Sequence, residues 1–151
     1  MFFCGWQKNK NYLFIPEIAA ELKRNKIDFH FVFTAPLNQS FEHLGFLELI
    51  KKLNVEDMIS IIGSINKSQI PSLYASVDYV FLLSKLESFS NNIIESWFYK
   101  KLLIVANEDW AKSICKDAAF YVDIDSAKSV SKKLLTLLNN EELYQKIILY
   151  S

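Results

Sequence analysis

The segment Asp78-Tyr79-Val80-Phe81-Leu82-Leu83 is the strongest constraint on the fold, because its run of apolar side chains leaves neither face of a strand for water. Side chains on a strand alternate between two faces, so such a segment must be covered on both, as the central strands of parallel sheets are. The flanking sequence says what covers it. Ser68 to Val77 before it and Ser90 to Lys100 after it read as helices, and the loop Ser84–Phe89 joins strand to second helix. The same alternation runs along the whole chain. Met1–Cys4 reads as a first short strand, Gln7–Asn11 as a loop, and Tyr12–Arg24 as an amphipathic helix. Asp28–Thr34 is rich in aromatic and β-branched residues and reads as a buried strand that Ala35-Pro36 ends. Phe41, Leu44, Leu47, Ile50 and Leu53 recur at helical spacing, and Met58–Ile62 is β-like up to Gly63. Leu102–Ala106 and Ala119–Val122 are further strands, and Trp110–Lys116, Ala127–Leu138 and Glu141–Tyr150 further helices. This order predicts an α/β class domain with a Rossmann-like, doubly wound, mostly parallel sheet, in one unit over residues 1–151.

Composition limits the function classes. With 151 residues, 51% of them hydrophobic, and only 3 Gly and 3 Pro, the chain has material for one core and no flexible linker. Lys plus Arg and Asp plus Glu each number 17, so no global field draws it to nucleic acid, and any phosphate must be held by local groups. Cys4 and Cys115 lie far apart with no metal-ligand spacing, and both are expected to be reduced and buried. No apolar run approaches the roughly 20 residues of a membrane span. The expected location is cytoplasmic.

Sheets of this kind bind ligands outside the carboxyl ends of their strands. The loops after Cys4, Thr34, Gly63, Leu83 and Ala106 are therefore the places to search. The loop after Leu83 holds two carboxylates, Glu87 and Glu95, on either side of a helix start at Ser90. Ser90 is a good N-cap whose hydroxyl can accept from an early helical N–H, and the first N–H groups, at Asn91 and Asn92, make an anion site. Glu87 in the loop and Glu95 in the second turn lie on different sides of that terminus, so they suit hydroxyl groups better than a shared metal ion. The plain alternative is a solvated helix face. Lys10 beside Lys8 reads equally as a solvated loop lysine. Asp123-Ile124-Asp125 has the D-x-D pattern of some metal sites but falls at a turn. His30 and His43 lie near no nucleophile, Gly45 suggests close packing or a kink, and Ile93, Ile94, Trp97 and Phe98 read as core.

The stretch Glu87-Ser88-Phe89-Ser90-Asn91-Asn92-Ile93-Ile94-Glu95 resembles the E-x-F-G-x-x-x-x-E motif of retaining GT-B glycosyltransferases of the family-4 type, in their C-terminal, donor-binding domain. The similarity extends over nearly the whole chain. Gly5 with Lys10-Asn11 is similar to the family's glycine loop and KN signature, Ile61-Ile62-Gly63 to its FxG strand end, and Ile70–Asp78 to its approach to the motif. Glu108-Asp109 and Ala118–Tyr121 match weaker downstream elements.

The resemblance implies a single GT-B half-domain that binds a nucleotide-diphosphate sugar for retaining transfer, without cofactor or metal. It implies that Lys10 pairs with the diphosphate, Glu95 with the ribose and Glu87, as the catalytic carboxylate, with the transferred sugar. The backbone of Ser88, Phe89, Ser90 and Asn91 would follow sugar and phosphate. The sequence departs from the family at Ser90, where glycine is usual, at Trp6, near a frequent phosphate-binding arginine, and at Ser96–Lys101, where small residues and glycine are usual. Set beside the family's two domains, the chain is expected to lack the N-terminal acceptor domain and to be a truncated or split product, so the expected partner is a separate acceptor domain or chain, through which membrane-surface association would also come. The alternative is a non-catalytic remnant or subunit. A receiver-like nucleotide-binding module is disfavoured by the lack of its acidic cluster and of a glycine fingerprint.

Overall fold

A computed structural model describes residues 6–38 and 40–151; the expected strand Met1–Cys4, the glycine loop at Gly5 and the expected buried thiol of Cys4 lie outside these. In chain order the elements are α1 (Phe14–Arg24), β1 (Phe31–Phe33), α2 (Phe41–Leu53), β2 (Ile59–Ile61), α3 (Ile70–Ala75), β3 (Tyr79–Leu82), α4 (Asn91–Phe98), β4 (Leu102–Ala106), α5 (Asp109–Cys115), β5 (Phe120–Val122), α6 (Ala127–Leu138) and α7 (Glu141–Tyr150). Short 3-10 turns add Lys8–Lys10, Glu56–Met58 and Lys67–Gln69.

All strand pairings among the described residues are parallel. β1 pairs with β2 in the register Phe31 to Ile59, and β3, β4 and β5 form a second ladder in which Val80 meets Leu103 and Ile104 meets Phe120. The two ladders meet through side chains: Phe31 of β1 packs edge-on against Phe81 of β3 with ring centroids 5.4 Å apart. The chain therefore winds outward in two directions, through β2 on one side and through β4 and β5 on the other.

The two faces of β3 and β4 are dressed as their composition requires. Phe81, Leu83, Leu102 and Ile104 enter a core shared with Ile15, Ile18 and Leu22 of α1, Phe46 of α2, Leu134 of α6 and Ile147 of α7. Val80, Leu82, Leu103 and Val105 face the other way, onto Tyr74 of α3, Ile93 of α4, and Ala111 and Cys115 of α5. Each fully buried Phe, Leu or Ile adds roughly 2 kcal/mol of transfer free energy, so covering only one face would forfeit half of this strand pair's driving force. Cys115 is buried and unpaired, and burial raises its thiol pKa to about 11, which makes it an inert core residue.

Several local expectations change. Ile94 and Phe98 are not core: α4 presents them to solvent at 49% and 76% exposure, and Trp97 is half-buried with its indole N–H donating to the Ala118 carbonyl at 2.9 Å. Helical spacing groups side chains on one face without saying which face meets the sheet. Gly45 marks neither close packing nor any need for a bare backbone, because a Cβ placed there meets nothing within 4 Å. Conversely, three lysines hold conformations that favour glycine, Lys26 with φ 57 among them. Lys100 follows α4 with φ 52, and Lys116 caps α5 with φ 45 and ψ −117, in a turn closed by a 2.7 Å bond from the Ala118 N–H to the Cys115 carbonyl.

Two opposite substitutions test these positions. Gly45→Ala should raise unfolding stability by up to about 1 kcal/mol, since a mid-helix glycine is entropically costly. Lys116→Gly should also stabilise, by about 1 kcal/mol, through relief of the strained turn. Urea melts of both variants against the parent read the sign directly, and destabilisation by either change would contradict its backbone argument.

Candidate functional site

The 3-10 turn Lys8–Lys10 ends on Asn11 at φ 55, a left-handed conformation that asparagine tolerates. This turn brings Lys10 to Glu87, 77 residues further on: the Lys10 ammonium donates to Glu87 Oε1. The pair is largely sequestered, with side-chain exposures of 17% for Lys10 and 9% for Glu87. Ser84, fully buried where β3 gives way to the loop, donates its hydroxyl to the same Oε1 at 2.7 Å. One carboxylate oxygen thus takes both donors, while no described protein donor reaches the other.

Ser90 occupies the N-cap position of α4, as expected, but its hydroxyl makes no capping bond. Its backbone supplies the first turn instead, with the Ile93 N–H donating to the Ser90 carbonyl at 3.1 Å. At φ −129 and ψ 126 the residue is in ordinary extended geometry, so the serine at the family's usual glycine position introduces no backbone strain. Glu95, half-buried in the second turn, accepts at Oε2 from the hydroxyl of the fully buried Tyr74, 3.1 Å away. Burial, and next the Glu95 charge, push the Tyr74 phenol far above its usual range, which keeps it a donor. Tyr74 is itself stacked on Tyr99, ring centroids 4.7 Å apart.

Lys10, Ser90, Asn91, Asn92 and Glu95 line one cleft of about 460 Å³, together with Thr34 and Pro36 after β1, and Ser64, Ile65 and Ile70 after β2. It opens at the carboxyl ends of β1 and β2 and at the start of α4, where the two winding directions part. Glu87 reaches this cleft only through Lys10, and Ser88 and Phe89 are exposed on the adjoining loop. Gly63, which precedes the lining residues Ser64 and Ile65, has φ 80, a conformation that glycine adopts without penalty. Trp6, at the family's frequent arginine position, has a bracing role: its indole N–H donates to the Pro36 carbonyl at 2.7 Å and its ring stacks on His43 at 5.0 Å. His43 is buried there, with both ring nitrogens unpartnered.

A second cleft of about 460 Å³ lies at the amino ends of β1 and β3 and includes Asp28, His30, Ser76, Asp78, Tyr79 and Leu138 in its wall. Its described lining holds two carboxylates and no Lys or Arg, and α3 and α6 end there with their carbonyl ends. Both features repel a diphosphate. Of these two clefts of equal size, the first combines a lysine with a helix N-terminus among its described lining residues, and electrostatics selects it over the second for a diphosphate. His30 bonds to the Ser60 hydroxyl at 2.9 Å. Asp123 of the D-x-D pattern is engaged by the Asn107 amide at 2.6 Å and by Lys133 at 3.0 Å; these partners hold its carboxyl below the usual carboxylate range. No cluster of potential metal ligands and no helix long and apolar enough to cross a membrane occurs among the described residues.

Sequence reading missed Ser84, Tyr74 and the bracing role of Trp6. Ser84 was legible as the polar residue that ends an apolar strand, whereas Tyr74 gave no signal, because its partner lies 21 residues away on another element.

The fold and the cleft define a GT-B glycosyltransferase half-domain of Rossmann-like type. Residues 6–151 match the family of glycosyl transferases group 1, and the chain belongs to that family. Among solved structures, the chain is similar to the C-terminal domain of the group 1 glycosyl transferase LpcC of Francisella tularensis, at 25% identity and TM-score 0.77, covering 97% of this chain and 78% of that one. It is also similar to a glycosyltransferase of Rickettsia africae, at 23% identity and TM-score 0.76, covering 97% of this chain and 40% of that one. HepE of Anabaena, solved with UDP and glucose, shares the fold at 17% identity and TM-score 0.79, with 97% and 40% coverage. The chain thus spans well under half the length of the latter two. No curated protein matches the sequence.

Two outcomes follow from the site's electrostatics. Lys10→Met should cost about 3 kcal/mol by leaving the Glu87 charge unpaired, and adding Glu87→Gln should recover most of it; equal melts for single and double variants would show that the pair is not coupled. For Tyr74 the folded pKa lies above the unfolded one, so its contribution is complete below about pH 10 and is lost as the unfolded phenol ionises above that. Stability should therefore fall above pH 10, less steeply in Tyr74→Phe, as read from melts across pH 8–11.

Proposed function

We propose that this chain is the donor-binding half of a glycosyltransferase that takes a nucleotide-diphosphate sugar and transfers the sugar with retention of configuration. The observation that carries this reading is the convergence of Lys10, the α4 start at Ser90 and Asn91, and Glu95 on one cleft at the carboxyl ends of the strands. On this reading the diphosphate lies against Lys10 and the helix N-terminus, Glu95 accepts from the ribose hydroxyls, and the loop backbone of Ser88, Phe89 and Asn91 runs along phosphate and sugar.

Glu87 is the carboxylate that meets the transferred sugar, with Oε1 held by Ser84 and Lys10 and Oε2 left for a hydroxyl. Transfer breaks the bond between the anomeric carbon and the diphosphate oxygen and forms one to an acceptor oxygen. Fixed positive groups lower the barrier where charge grows on the leaving diphosphate. As the family resemblance implies, Lys10 and the helix N-terminus meet that charge in place of a resident metal.

The acceptor site belongs to a further domain or a separate chain. Leu37, Ile62, Leu86 and Phe89, all between 47% and 72% exposed on loops at the carboxyl ends of the strands, support a covering partner there. Transfer on the cytoplasmic side, with membrane contact made through that partner, fits the same reading. A second reading, an idle or subunit-dependent site, is favoured by one observation: Glu87 already occupies the Lys10 ammonium, which a diphosphate must win.

Isothermal titration with UDP and GDP separates the two. Donor binding predicts a preferred nucleotide, with affinity reduced about tenfold or more by Lys10→Ala or Glu95→Ala, the scale of a lost charged hydrogen bond. A folded chain that binds neither nucleotide, alone or with its acceptor partner, would be an idle remnant.

A further inference from the structure

The two carboxylates of the site share an arrangement. In each, one oxygen is held by a fully buried hydroxyl, Ser84 on Glu87 and Tyr74 on Glu95, and no described protein donor reaches the other. For Glu95 this has a consequence for recognition. A glutamate on a helix has rotatable side-chain bonds, and an untethered carboxylate can meet a ligand with either oxygen and in several orientations. The Tyr74 oxygen is a fixed point by contrast, carried on α3, fully buried, and locked by the stack of its ring on Tyr99.

We propose that Tyr74 is a positioning residue for sugar-hydroxyl recognition, which by tethering Glu95 Oε2 presents Oε1 in a single orientation to the ribose diol of the donor. This rests on the reading of Glu95 as the ribose partner. Tyr74 touches no ligand itself; it restricts the carboxylate before the nucleotide arrives, so that less conformational freedom is lost on binding. The high phenol pKa keeps the hydroxyl protonated, and so donating, throughout the neutral range.

The test compares UDP with 2′,3′-dideoxy-UDP on the full chain, by titration calorimetry, with Tyr74→Phe keeping the ring and its stack while removing only the hydroxyl. The parent should prefer the ribonucleotide by about tenfold or more. In Tyr74→Phe the preference should fall several-fold, through weaker UDP binding, while the dideoxy affinity stays within about twofold. A merely structural role would weaken both nucleotides in parallel, and an unchanged ratio overturns the inference.

The reading of Glu95 fails separately. If Glu95→Ala retains the parent's preference, or the parent shows none, the ribose assignment itself falls and the inference falls with it; if Glu95→Ala abolishes the preference and Tyr74→Phe leaves it intact, only the Tyr74 inference is lost. Should Tyr74→Phe fail to fold, the parent chain carrying a 13C label at Tyr74 Cζ provides the reading. Its signal should shift with UDP and stay in place with the dideoxy compound, and a signal unmoved by UDP overturns the proposal.

Discussion

The organisation of the molecule depends on the two-sided burial of β3 and β4. Neither strand has a face that tolerates water, so helices must lie on both sides, and helices that cover a parallel sheet do so by returning the chain to the same starting edge each time. That return aligns the strands and brings their carboxyl ends to one rim. The rim collects Thr34, Ser64 and Ser84 at successive strand ends, and the start of α4 beside them. The position of the cleft is thus a consequence of core burial. No functional residue is needed to explain why a cleft exists there.

What the functional residues add is charge. The chain is neutral overall, with 17 cationic and 17 anionic side chains, yet the rim cleft sets a lysine and a helix N-terminus beside Glu95, while the cleft at the opposite edge contains two carboxylates and helix C-termini. Helix polarity and strand direction are coupled in a doubly wound sheet, because each helix runs antiparallel to the strands it joins. The carboxyl edge of the sheet is therefore the amino edge of the helices, and it is electropositive by construction. Lys10 sits in the field that the topology supplies, paired there with Glu87.

The carboxylates sit in this field under restraint. Glu87 is held by a lysine that lines the cleft and by a buried serine, and Glu95 by a buried tyrosine. Tethers of this kind occupy one oxygen of each carboxylate and leave the other without a described protein donor. Trp6 performs a comparable service for the cleft wall, tying the loop at Pro36 to the aromatic packing around His43 and Phe46.

The type and order of the described elements were legible because period-two and period-3.6 patterns are local: Leu102–Ala106, Ala127–Leu138 and Glu141–Tyr150 run over the residues expected, whereas Asp28–Thr34 shortens to Phe31–Phe33 where ladder bonds end. The motif around Glu87 and Glu95 was legible for the same reason, since its residues are close in sequence. The exposure of Phe98, the open space at Gly45 and the strain at Lys116 were not, because they depend on what lies across from each residue in space. The same holds for the pairing of Lys10 with Glu87 and of Tyr74 with Glu95. Sequence alone determined an alternating α/β chain with two carboxylates flanking a helix start, because backbone periodicity and chain order are written residue by residue. Only the tertiary structure decided which hydroxyl or ammonium holds each carboxylate, because those partners meet through packing of both faces of the sheet, at separations no local pattern encodes.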